Sequence, residues 1–199
     1  AEAMANFTSL VKKAQEHGNF LRIDMENSLF TDQTFEIYRH CKTIYKNVGV
    51  VIQSYLHRSL DDIHHLANED FNSRICKGIY KESESIAFQS REEIKDNYLS
   101  LAKTMAAKNA YSGFATHDQD LIDQLLVWIE SENISKDLFE FQVLYGVPMS
   151  GRLEALLEAG YKVRVYVPYG PDWFDYSVRR LKENPKIVSY VLKNFFRKR

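Results

Sequence analysis

The chain has 199 residues, 45% of them apolar and 27% charged, enough to fill one sizeable core and still wet its surface. With 26 Lys and Arg against 27 Asp and Glu, the net charge of −1 excludes a whole-chain electrostatic footprint for nucleic acid. Two cysteines, Cys41 and Cys76, are too few for a disulfide framework, so reduced buried thiols in a cytoplasmic protein are expected. No run approaches the ~18 apolar residues of a membrane-spanning helix.

A helical pattern over 7–17 comes first, followed by a β run at 20–25 and helical spacing at 34–41. The next β run, 48–55, is rich in valine and isoleucine. A helix pattern carrying Asp61, Asp62, His64 and His65 precedes the short run 73–76; exposure is the expected fate of those histidines, not metal binding. Helical spacing at 92–101, a β run at 113–116, another at 139–144, a helix at 150–160 ended by Gly160, and a β run at 163–167 complete the series. The segment 187–196 reads as a helix closing over the core, and its basic end, Arg197-Lys198-Arg199, is the one feature suited to peripheral contact with a membrane surface.

Alternation of this kind predicts an α/β protein with a parallel sheet covered by helices. No Gly-rich phosphate-binding fingerprint follows the first β run, and only 8 glycines occur in the chain, which favours a barrel over a doubly wound sheet. An eight-stranded barrel takes ~250 residues. The expected architecture is therefore one domain over 1–199, a distorted (βα)8 barrel of the TIM type with only its last six strands present and the first two βα units missing.

Parallel barrels gather functional groups where strands give way to helices. The exits of the six β runs carry Asp24, Gln53, Arg74 with Lys77, Thr116 with His117, Gln142, and Tyr166. Each alone has a structural explanation, such as a helix cap for an Asp or a satisfied core imidazole for His117. Six together are hard to bury as core, because every polar group would need a partner. A second concentration follows Pro171: at helical spacing, Tyr176, Arg179, Arg180 and Glu183 share one face. Two adjacent guanidinium groups suit a carboxylate clamp, although a salt bridge to Glu183 explains them equally well.

Tyr-x-x-Arg-Arg-Leu-x-Glu-Asn at 176–184 resembles the terminal signature of proline dehydrogenases. Arg74-Ile75-Cys76-Lys77-Gly78-Ile79-Tyr80, Ile23-Asp24-Met25-Glu26, Gln53-Ser54-Tyr55, Phe114-Ala115-Thr116-His117 and Glu140 to Gly146 resemble further segments of that family in the same order. The likeness runs from about Phe20 to Asn184, and its phrasing is nearest the short monofunctional bacterial enzymes. It implies FAD as cofactor and oxidation of L-proline to Δ1-pyrroline-5-carboxylate by hydride transfer to flavin N5. It also implies electrons passed to a membrane quinone, and coupling to pyrroline-5-carboxylate dehydrogenase. By the same resemblance Arg74 sits at the flavin N5 region and Asp24 organises the substrate pocket. Gln53 meets the pyrimidine edge, with the Met25 backbone nearby. Lys77, Gly78, Ile79, Thr116 and His117 hold the ribityl, pyrophosphate or adenosine part, and Gln142 joins the cofactor contacts. Arg179 and Arg180 grip the substrate carboxylate, while Leu144, Tyr166 and Tyr176 wall its ring, Tyr166 leaving little room for a ring hydroxyl. Ile79 stands where the family has a small alanine. Two other readings fit the residues: a truncated barrel serving as a binding or structural module, and another flavin barrel of the methylenetetrahydrofolate-reductase type.

Overall fold

Strand and helix alternate from the first residues onward. The computed structural model describes residues 2–171; Tyr176, Arg179, Arg180 and the expected helix at 187–196 lie outside them. The chain divides into two compact units, Ala1–Phe141 and Gln142–Arg199.

In the first unit, α1 (Glu2–Glu16) packs on α2 (Thr31–Ile44). Strands β1 (Leu21–Ile23), β2 (Val48–Gln53), β3 (Asn72–Cys76) and β4 (Tyr111–Ala115) alternate with α2, α3 (Ser59–Leu66) and α4 (Arg91–Ala107). Helix α5 (Gln119–Ser131) and the start of β5 (Phe139–Leu144) follow. The second unit takes the end of β5, α6 (Arg152–Glu158) and β6 (Val163–Tyr166). The six strands form one sheet in strict sequence order, and β1 to β4 pair in parallel. This is the order of a (βα) barrel; a doubly wound sheet reverses its order part-way.

Local chemistry sets the element ends. Ser90 accepts a hydrogen bond from Glu93 N at 3.1 Å and Asp118 one from Leu121 N at 3.4 Å, so α4 and α5 begin on capping side chains. β2 stops at Gln53, short of the expected 55, because the chain turns there and Leu56 N bonds back to Gln53 O. α6 begins two residues later than expected, since Ser150 (φ 52°) and Gly151 (φ 81°) are left-handed.

Register sorts the side chains of β1 to β4 onto two faces. One face, Ile23, Val50, Ile52, Ser73, Ile75, Ser112 and Phe114, is buried; on it the Tyr98 hydroxyl from α4 donates to Ile75 O at 2.8 Å. Opposite lie three rows. The first is Arg22, Gly49, Asn72 and Tyr111. The second is Asp24, Val51, Arg74 and Gly113, and the third runs through Gln53 and Cys76 to Ala115. In the first row the Arg22 guanidinium donates to Val50 O, Asn72 O and Asn72 Oδ1 and lies 4.8 Å from the Phe20 ring centre. Gly49 makes this passage possible: a Cβ there would stand 2.6 Å from Asn72 O and 2.7 Å from Arg22 Nη1.

Among the core residues, Tyr38 of α2 meets Phe71 edge-on at 5.7 Å. Burial pushes the Tyr38 hydroxyl up to about 12, against a small opposing pull from Arg22. The folded state therefore keeps a proton that the unfolded chain loses near pH ~10. Stability from this group is complete below pH ~10 and is lost as pH rises toward ~12, an alkaline loss of roughly 2 kcal/mol. Urea unfolding between pH 8 and 12 should show that loss in the native sequence and a shallower one in Tyr38→Phe; equal slopes would contradict it.

Candidate active site

The second row holds the main electrostatic feature of the open face. Val51 pairs with Arg74, and Asp24 follows Ile23, the partner of Val50, so one strand separates acid from base. The Arg74 side chain reaches across Val51 and its Nη1 meets Asp24 Oδ1 at 2.7 Å. Val51, beneath the pair, is buried. Asp24 is 57% exposed and Arg74 17%, so the pair contributes only about 0–1 kcal/mol to stability. Its consequence is positional: a mostly buried cation is held in one orientation. Arg74 stands at the middle of β3, two residues short of the exit, because the strand begins at Asn72 and runs through Cys76.

Above it, Gln53 is 3% exposed, and its Oε1 has no hydrogen-bond partner among the described residues. The next two residues share this condition, since Ser54 Oγ and Tyr55 Oη are also buried without partners among the described residues. An amide oxygen left so costs about 1–3 kcal/mol. Gly78, with φ 99°, presses on the Tyr55 ring; a Cβ there would fall 2.2 Å from Tyr55 Cδ1. Glycine at this position is thus required by the backbone and by the aromatic ring beneath it. Beside it Ile79 is 52% exposed, whereas Met25 is buried.

Two loops meet over the exits of β1 and β3. The Tyr80 hydroxyl donates to Glu26, and Ser28 N donates to Glu82 Oε1 at 2.8 Å. Tyr80 also packs on a cluster of Tyr55, Leu56 and Ala87. At the β3 and β4 exits, Lys77 Nζ donates to Asp118, while Thr116, itself buried, accepts from Asp118 N at 3.1 Å. Lys95 of α4 lies 3.8 Å from Asp118 and 2.7 Å from Asp120. Burial raises the Asp118 pKa, but Lys77, the Leu121 amide and Lys95 outweigh it, and the carboxyl lies below its ordinary value. His117 is exposed at the same exit, yet crowding around the ring lowers its imidazole pKa.

In the second unit, Gln142 is buried within β5. Tyr145 N bonds Tyr166 O at 2.8 Å, so Leu144 and Tyr166 end neighbouring strands.

Residues 3–193 match the family model for proline dehydrogenase. The chain belongs to the proline dehydrogenase family. It is 37% identical over 196 residues to proline dehydrogenase 1 of Bacillus subtilis, covering 98% of this chain and 65% of that one. It is 36% identical to the proline dehydrogenase of Deinococcus radiodurans, covering 98% of this chain and 63% of that one. The chain thus spans slightly less than two thirds of these curated relatives. Among solved structures, the proline utilization A protein of Bdellovibrio bacteriovorus is 27% identical, with a TM-score of 0.81 over 91% of this chain and 21% of that one.

For this proline dehydrogenase family chain, the expected residues of the first unit fall into two groups. Asp24, Gln53 and Arg74 share the open face, while Lys77, Gly78, Thr116 and His117 gather at the β3 and β4 exits. Sequence reading gave no role to Asp118, Lys95, Glu26 or Tyr80. Asp118 had a signal, an acid in the capping position before an apolar helix; the Tyr80 link to Glu26 spans 54 residues and had none.

Cys76 shares the third row with Gln53. It is half-buried, and desolvation around its sulfur pushes the thiol up to about 11 despite Gly78 N and Arg74. Its alkylation by iodoacetamide at pH 8, followed by peptide mass spectrometry, should run about two orders of magnitude slower than a free thiol. Labelling at the free-thiol rate would contradict this environment.

Proposed function

We propose that this chain forms the cofactor- and substrate-binding face of an FAD-dependent dehydrogenase that oxidises L-proline to Δ1-pyrroline-5-carboxylate. The observation that carries the reading is the combination on the open face: a fixed Arg74 cation, one row from a buried Gln53 oxygen that has no donor among the described residues.

These groups fit a flavin. The Gln53 amide oxygen would accept from an N–H on the pyrimidine edge, relieving its desolvation, and the backbone of Met25 would lie close by. Arg74, held by Asp24, would place its positive charge where negative charge builds in the reduced ring system. The ribityl, pyrophosphate and adenosine parts would fall to Lys77, Gly78, Ile79, Thr116 and His117, with Gln142 a further contact. Bound FAD supplies the two-electron acceptor that takes a hydride from the proline ring.

The chain's own contribution is orientation and charge. Arg179 and Arg180, adjacent in sequence, would bind the substrate carboxylate through bidentate hydrogen bonds. Leu144, Tyr166 and Tyr176 would hold the ring and exclude water from the reacting carbon, fixing a reactive separation of ~3–3.5 Å. Asp24 keeps Arg74 from swinging toward the substrate carboxylate. Family resemblance supports a quinone as the final acceptor and coupling to a pyrroline-5-carboxylate dehydrogenase. Among the described residues no helix is long and apolar enough to cross a membrane.

The test is proline-dependent reduction of an indophenol dye by the purified chain supplied with FAD. Turnover that falls about 100-fold or more in Arg74→Met is the expected outcome. FAD binding without proline-dependent reduction would favour the binding-module reading and overturn the enzymatic one.

A further inference from the structure

Lys77 is the first residue after β3, and Asp118 the N-cap of the helix after β4; parallel pairing of β3 with β4 brings the two together. The Asp118 carboxylate is pinned from several sides. Its Oδ1 accepts from Leu121 N, its backbone amide donates to Thr116 Oγ1, and its Oδ2 receives the Lys77 ammonium. Lys95, anchored on Asp120 at 2.7 Å, stands 3.8 Å away on the side of α4. Two cations therefore converge on the same carboxylate oxygen, Oδ2, Lys77 in contact and Lys95 further off.

We propose that Asp118 is a positioning residue that aims the Lys77 ammonium at the phosphates of a bound dinucleotide cofactor, while Lys95 neutralises the charge Asp118 would otherwise turn on those phosphates. This rests on the reading that Lys77 is a cofactor contact. An ammonium has three N–H donors, and the carboxylate occupies one. The Lys77 side chain keeps 32% of its surface exposed, enough for an anion to reach it. A free lysine gives up rotamer freedom when it grips a phosphate; one already held by a rigid cap has given it up on folding. Without Lys95, the same carboxylate would repel what Lys77 attracts.

Two substitutions separate the tether from the helix cap. Asp118→Ser keeps a capping oxygen but is too short to reach Lys77, and Asp118→Asn keeps an oxygen for both tasks. With the full chain, FAD and riboflavin affinities are measured by quenching of flavin fluorescence. Asp118→Ser should weaken FAD binding about five- to tenfold and Asp118→Asn about twofold, with riboflavin, which lacks phosphate, unaffected. In a Lys77→Met background Asp118→Ser should cost nothing further. An equal loss in both backgrounds, or an equal loss for riboflavin, overturns the proposal in favour of a purely structural cap. If Lys77→Met weakens FAD binding and Asp118→Ser does not, Asp118 loses its role while Lys77 keeps its own. An unchanged FAD affinity in Lys77→Met removes the underlying reading and the proposal together.

Discussion

A single ion pair laid across a valine organises the open face of this sheet. Arg74 and Asp24 are two strands apart, and the pairings of β1 with β2 and of β2 with β3 put Val51 between them. A slip of one residue in either pairing would turn one partner to the helix-covered side, where Ile23 and Ile75 are buried. The register is held by the same physics that builds the core: a period-two pattern with one face apolar. The ion pair contributes little to stability but inherits its geometry from contacts that contribute a great deal.

The rows of that face differ in character. The lowest is closed by Arg22, whose donors are taken by β2 and β3 carbonyls and Asn72, with Gly49 leaving the space. Above it, the buried oxygen of Gln53 has no hydrogen-bond partner among the described residues. A cation well supplied with partners at one end, and a buried acceptor with none among the described residues at the other, mark where scaffold gives way to the proposed binding surface. The paired loops above, joined by Tyr80 with Glu26 and Ser28 with Glu82, fix the rim to the strands.

Much of this was legible in the sequence because it is local. Strand and helix alternation follows from β-branched runs such as Val48 to Ile52 and from apolar spacing, and the absence of a Gly-rich fingerprint pointed to barrel order, which the sheet has. Asp24, Gln53 and Lys77 stand out as polar residues where an apolar run ends. Register is another matter: no local signal says that Val51 lies opposite Arg74. The partner of Lys77 lies 41 residues away and that of Tyr80 lies 54 away, distances at which side-chain chemistry carries no address. The proposed carboxylate clamp, Arg179 and Arg180, rests on sequence alone.

Under the proposed function, the guanidinium of Arg74, steadied by Asp24, would stand against a bound flavin and stabilise the charge of its reduced form. Spectroelectrochemical titration of FAD bound to the native chain, to Arg74→Met and to Asp24→Asn tests this most directly. The midpoint potential should fall in Arg74→Met, which removes the cation, and rise in Asp24→Asn, which removes the anion beside it. Equal potentials in all three would place Arg74 away from the ring and contradict the claim.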